Sequence, residues 1–186
     1  MWTSSAFTAG FCERWLEKAS DYDDSSLDGA FDRFFSLFVA FSRLYSHFAV
    51  RSGCTYEGDR RQATACFARA MGEGDLAPAL EADGGRDDMR TLADLIAPGG
   101  GFYVASKRNA GGPDPDRNRL LNSALCRGNA SQRVMGLLCY LYLVRCNMFH
   151  GHKDFDNAQL RIIQPSARCL ERIVRAGLDK VRADPG

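Results

Sequence analysis

Residues 134–144, VMGLLCYLYLV, carry no charge, and their strong hydrogen-bonding side chains are the hydroxyls of Tyr140 and Tyr142. A run of that length is apolar around its whole circumference, so it predicts a helix enclosed by others rather than one lying on a surface. Any fold for this chain must supply several partners for one central rod. The character then changes: Arg145, Cys146, Asn147, His150, His152 and Lys153 follow in quick succession, and Gly151 with the polar residues 154–157 signals the end of the helix.

The partners are legible by their periodicity. Residues 30–50 place Phe31, Phe34, Phe35, Phe38, Phe41, Tyr45 and Phe48 at spacings of three and four, a wide aromatic stripe that must face a core. His47 falls among these rings, where packing is its expected role. Residues 6–19 predict a short amphipathic helix with Phe7, Phe11, Trp15 and Leu16 on one side. Residues 59–71 predict another, with Ala63, Cys66, Phe67 and Ala70 on one face, and residues 116–126 a third. Asn129 or Ser131 can cap the central helix. Over residues 156–181, Leu160, Ile163, Ala167, Leu170, Val174, Leu178 and Val181 keep one angular phase across Pro165, which predicts one helix kinked or restarted at the proline. Between 72 and 115 glycine and proline dominate, with one helix expected at 87–96 and a mobile loop at 99–115 that encloses at most a very short strand or helix. The expectation is an all-α, up-and-down helical bundle: a single domain over 1–186 with a loop-rich insertion at 72–115.

The 186 residues suffice for a substantial core. A formal charge of +1 provides no general attraction for nucleic acid, so any such binding must come from local clusters. Arg outnumbers Lys by 20 to 4. That skew suits bidentate phosphate contacts, but GC-rich coding produces it equally. Two clusters stand out. Lys107 and Arg108 sit on the Gly-flanked loop. Arg161, Arg168, Arg172, Arg175 and Arg182 lie within about 80° of one another on a helical wheel, opposite the apolar line of the last helix. Each has a plain alternative as solvated surface charge. The seven cysteines are odd in number, scattered and without a CxxC pair, which predicts reduced thiols in a cytoplasmic protein. No uncharged apolar run approaches the ~20 residues that span a bilayer, no secretory leader is evident, and the GxxxxGK[ST] phosphate loop is absent.

The chemistry concentrates after the enclosed rod. Arg145 holds its proton at any ordinary pH and suits a phosphate, while His150 exchanges protons near neutrality. The text LYLVRCNMFHGHKD resembles the HEPN superfamily, whose members carry Arg, four to six residues, then His. Phe149, Gly151 and Lys153 fit the form seen in HEPN proteins of bacterial defence systems, and residues 31–45 are similar to the aromatic helix preceding the catalytic one, with Ser42 in place of the usual Asn. The resemblance implies a metal-independent endoribonuclease that cleaves by 2′-hydroxyl attack, needs no cofactor, and acts as a toxin or defence effector. His150 would be the general acid or base, Arg145 would neutralise the transition state, and Asn147 would orient the imidazole or a phosphate oxygen. Cys146, His152 and Lys153 are auxiliary candidates. Cys146 occupies a position that is usually polar in the family.

Residues five apart on a helix point about 140° away from each other, so Arg145 and His150 share a surface only if the helix loosens. The family solves this by pairing two subunits around one cleft, which implies a homodimer with a composite site, an RNA substrate, and an antitoxin or defence-system partner. The competing reading is a catalytically inactive HEPN-like module that binds RNA or protein. Cys146 with His150 as a nucleophilic pair, or with Cys139 and His152 as a zinc site, lacks the further residues either chemistry requires.

Overall fold

The computed structural model describes residues 4–106, 112–149 and 156–184. Within them the chain forms an all-α, up-and-down bundle: α1 (Ser5–Ser20), α2 (Leu27–Arg51), α3 (Asp59–Arg61), α4 (Phe67–Met71), α5 (Glu73–Glu81), α6 (Gly85–Ile96), α7 (Pro115–Arg127), α8 (Ala130–Phe149) and α9 (Leu160–Ala183). A π-turn, Gln62–Cys66, joins α3 to α4, and a 3₁₀ turn, Asn157–Gln159, leads into α9. No strand occurs among the described residues; Ser106 and Pro113 form an isolated antiparallel bridge. No described helix is long and apolar enough to cross a membrane.

Local chemistry explains where the helices begin. Ser4 accepts from the Phe7 amide at the start of α1, Ser26 from Gly29 at the start of α2, and Asp114 from Arg117 at the start of α7, each satisfying a donor the first turn leaves over. Asn129 does more at α8. Its Oδ1 accepts from the Gln132 amide at 2.9 Å while the Gln132 side chain accepts from the Asn129 amide at 2.9 Å, a reciprocal capping box.

α2 and α9 pack lengthwise on each other, α1 covers α2, and α8 lies among α5, α7 and the π-turn. Val134, Leu137, Leu138, Tyr140, Leu141 and Val144 are buried, as expected for an enclosed rod. Phe34, Phe38, Phe41, Tyr45 and Phe48 of α2 are buried as well, and Phe41 meets Phe67 of α4 edge-on at 5.0 Å between ring centres. His47 is buried against α1, its Nδ1 3.2 Å from Thr8 Oγ1.

Two features differ from the sequence expectation. The deepest face of α1 is Thr8, Cys12 and Ala19, while Phe7, Phe11, Trp15 and Leu16 sit half-buried at its flank; the small residues let α1 lie close on α2. Residues 73–81, expected as loop, are helical despite Pro78. Leu76, Ala77 and Leu80 form a buried face there, and a proline costs a helix one ladder bond that such packing offsets. α9 runs through Pro165 as one helix, as its unbroken apolar phase predicts, with the proline lying in its second turn.

Candidate functional site

α8 carries its enclosed middle outward to a polar rim at Arg145, Cys146 and Asn147, all half-buried. Arg145 Cζ lies 5.7 Å from the centre of the Phe38 ring on α2 and 5.9 Å from that of Tyr142, one turn back on α8. Two aromatic faces fix the guanidinium plane and limit its hydration, which strengthens its attraction for an anion.

Beside it lies a network that no local pattern announces. Asp59, at the start of α3, accepts a hydrogen bond from Tyr45 Oη at 2.6 Å and another from Tyr142 Oη at 2.9 Å, so one carboxylate ties α2, α3 and α8 together. Burial pushes the Tyr45 hydroxyl up to about 12, the bond to Asp59 pushes the same way, and the charge of Arg145 opposes part of the rise. Burial raises Tyr142 too, again with Asp59 adding and Arg145 opposing. Both hydroxyls therefore stay protonated as donors to Asp59, and the positive charge of Arg145 acts on both.

Asn147 turns to the insertion. Its Nδ2 donates to the Val104 carbonyl at 3.0 Å, and on the other side Asn118 Oδ1 accepts from the amides of Val104 (3.3 Å) and Ala105 (3.1 Å). Val104 and Ala105 are buried. Residues 102–105 of the segment expected to move freely are thus clamped between α7 and the end of α8, with Phe102 N–H on Leu95 O and Asp114 N–H on Ala105 O. The Asn147 amide nitrogen thus helps to order this segment. Cys146 is a free thiol on the same turn. His150, His152 and Lys153, like Lys107 and Arg108, lie outside the described residues.

The basic face of α9 is closely paired with acids. Arg168 and Arg172 both bind the buried Asp88 of α6 at 2.7 Å, and Arg172 also donates to the Asp83 carbonyl. Arg175 is held by Glu171, and Arg182 by Glu13 and Asp179. Arg161 stands over the Phe102 ring at 5.5 Å, next to the clamped segment. A second arginine cluster, absent from the sequence reading, lines a cleft of about 470 Å³ between α6, α7 and the start of α8: Arg86, Arg90, Arg127 and Arg133, with Asp87 and Asp94. Arg86 and Arg133 share Glu81, whose carboxyl they hold below the usual range. Arg133 and Arg145 are twelve positions apart, or about 18 Å along the helix, so this cleft and the Arg145 rim mark opposite ends of α8. Contacts this long-range leave no periodic trace in a sequence.

Among the described residues, no group of three His, Cys, Asp or Glu side chains is placed to hold a metal ion. No protein-family model, curated protein or solved structure matches the chain.

Proposed function

We propose that the chain is a metal-independent endoribonuclease of HEPN type, cytoplasmic, and a toxin or effector of a bacterial defence or toxin–antitoxin system. The observation that carries this reading is Arg145: a permanent cation seated on the Phe38 and Tyr142 rings where an enclosed helix reaches solvent. In the proposed reaction the ribose 2′-oxygen attacks the adjacent phosphorus and the 5′-oxygen leaves, giving a 2′,3′-cyclic phosphate and a 5′-hydroxyl. Arg145 neutralises charge on the non-bridging oxygens. His150 takes the 2′-hydroxyl proton or delivers one to the departing oxygen, and a second subunit contributes the same pair across a two-fold axis. The Asn147 carbonyl oxygen orients the imidazole. The cleft at the other end of α8 offers guanidinium groups for further phosphates of a long substrate.

The test is incubation of purified protein with total RNA, with and without chelator, beside His150→Ala. Cleavage that survives chelator and disappears in the folded variant supports the proposal; equal cleavage by the variant overturns it. A monomer under cleaving conditions contradicts the composite site. The second reading, a module that binds RNA or protein without cutting, is favoured by the Asn147 amide being engaged by Val104 and by Cys146 standing where a polar group is usual. It predicts RNA retention without cleavage products.

A further inference from the structure

Away from the α8 rim, two cysteines and an arginine meet outside the main core. Cys54 lies in the turn after α2, and Cys66 ends the π-turn; with Ala49 they form a small buried cluster of their own. Arg69, one turn further on, points its guanidinium back at them, with Nη2 2.9 Å from Cys54 Sγ and 3.8 Å from Cys66 Sγ. No carboxylate pairs with Arg69 among the described residues, so the sulfurs are what faces its charge. A neutral thiol is a poor acceptor for a guanidinium, whereas a thiolate is a good one.

We infer that Cys54 and Cys66 form an oxidisable dithiol, a modification site for small hydroperoxides in which Cys54 is oxidised first and Cys66 resolves it. Direction supports the assignment. The bond from the Cys66 thiol and the Arg69 charge draw the Cys54 thiol below its usual range, while burial and the Cys54 sulfur raise Cys66, so Cys54 is the more readily ionised of the two and Cys66 the thiol that donates to it. Cys54 Sγ attacks the terminal peroxide oxygen, the O–O bond breaks, and the departing oxide takes a proton from solvent, leaving a sulfenic acid. Cys66 Sγ then attacks that sulfur, the S–O bond breaks, and the hydroxyl leaves with the Cys66 proton as water. One S–S bond forms, two thiols are oxidised, and one peroxide is reduced. The bridge would close residues 54–66, the segment bearing Asp59, so oxidation would stiffen the mount of the Tyr45 and Tyr142 hydroxyls.

The experiment treats full-length protein with hydrogen peroxide at neutral pH and follows each cysteine by peptide mass spectrometry, with the exposed Cys126 as internal reference. The expected result is loss of the Cys54 thiol before that of Cys126 and a reducible Cys54–Cys66 linked peptide. Cys66→Ala should leave a trappable sulfenic acid at Cys54, and Arg69→Gln should slow Cys54 oxidation by up to about tenfold, the range open to a change in thiolate fraction. Cys126 reacting first, or absence of the linked peptide in unaltered protein, overturns the inference. The linkage result stands alone if a variant does not fold, and none of these readouts depends on the ribonuclease reading.

Discussion

Asn118→Ala tests whether the insertion is as tightly clamped as its hydrogen bonds indicate. Asn118 is buried, and its Oδ1 is the acceptor for two enclosed backbone amides, Val104 at 3.3 Å and Ala105 at 3.1 Å. A buried donor left without a partner costs about 1–3 kcal/mol, giving an upper range of about 2–6 kcal/mol for the pair. Both bonds are longer than average and the segment can shift towards water, so the low end applies: about 2–3 kcal/mol, or a fall in Tm of roughly 5–10 °C for a chain of this size. Asn118→Asp keeps the acceptor and should lose less. The assay is urea unfolding together with amide hydrogen exchange, in which protection at Val104 and Ala105 should drop well beyond the global change. Asn147→Ala acts on the same segment through the Val104 carbonyl, so the double variant should be less destabilised than the sum of the singles. A loss below about 0.5 kcal/mol with unchanged exchange at both amides would refute the reasoning, because such groups cannot be orphaned at no cost.

Asp88→Ala should cost about 3 kcal/mol in urea unfolding, since it strands Arg172, and Arg168 to a lesser degree because that side chain is 42% exposed; an effect under 1 kcal/mol would show the pairs to be solvent-screened. Alkaline pH should destabilise the fold. Tyr45 ionises near 10 when unfolded but at about 12 when folded, so its contribution is intact below pH 10 and declines up to pH 12 by at most about 1.4 kcal/mol per pH unit. Buried Tyr140 and half-buried Tyr142 shift in the same sense; Tyr45→Phe should flatten the slope, and a flat profile between pH 9 and pH 11.5 would contradict the burial of these hydroxyls. Gly177→Ala should destabilise by about 1 kcal/mol despite better helix propensity, because the added Cβ would stand 2.9 Å from Leu44 Cδ1 in a filled core; a gain in stability would show that Leu44 can move aside.

Much of the bundle was legible because apolar periodicity is a local property. The run around Tyr140 and the phenylalanines of α2 announce their own burial, and Leu160 to Val181 read through Pro165 as the one helix that forms. Residues 73–81 did not read as a helix because Gly72 and Pro78 punctuate them, and the tertiary contacts of Leu76 and Leu80 decide the matter instead. α1 misled in a different way: its bulky rings drew attention from Thr8 and Cys12, whose small size is what permits close approach to α2. The candidate site divides along the same line. Arg145 and Asn147 were visible as the abrupt end of an apolar run, but Asp59 collects hydroxyls from positions 14 residues before and 83 residues after it, and Asp88 collects guanidiniums 80 and 84 residues on. The angular alignment of arginines on α9 was likewise readable, whereas the acids that occupy them were not.

The most direct test of the central claim uses a short RNA with one defined cleavage position, assayed in chelator with unaltered protein and with Arg145→Ala and His150→Ala. The account predicts a 2′,3′-cyclic phosphate and a 5′-hydroxyl at the break, no cleavage when a single 2′-deoxynucleotide replaces the attacking ribose, and loss of cleavage in both folded variants. Cleavage of the 2′-deoxy substrate, or undiminished cleavage by either variant, would contradict it.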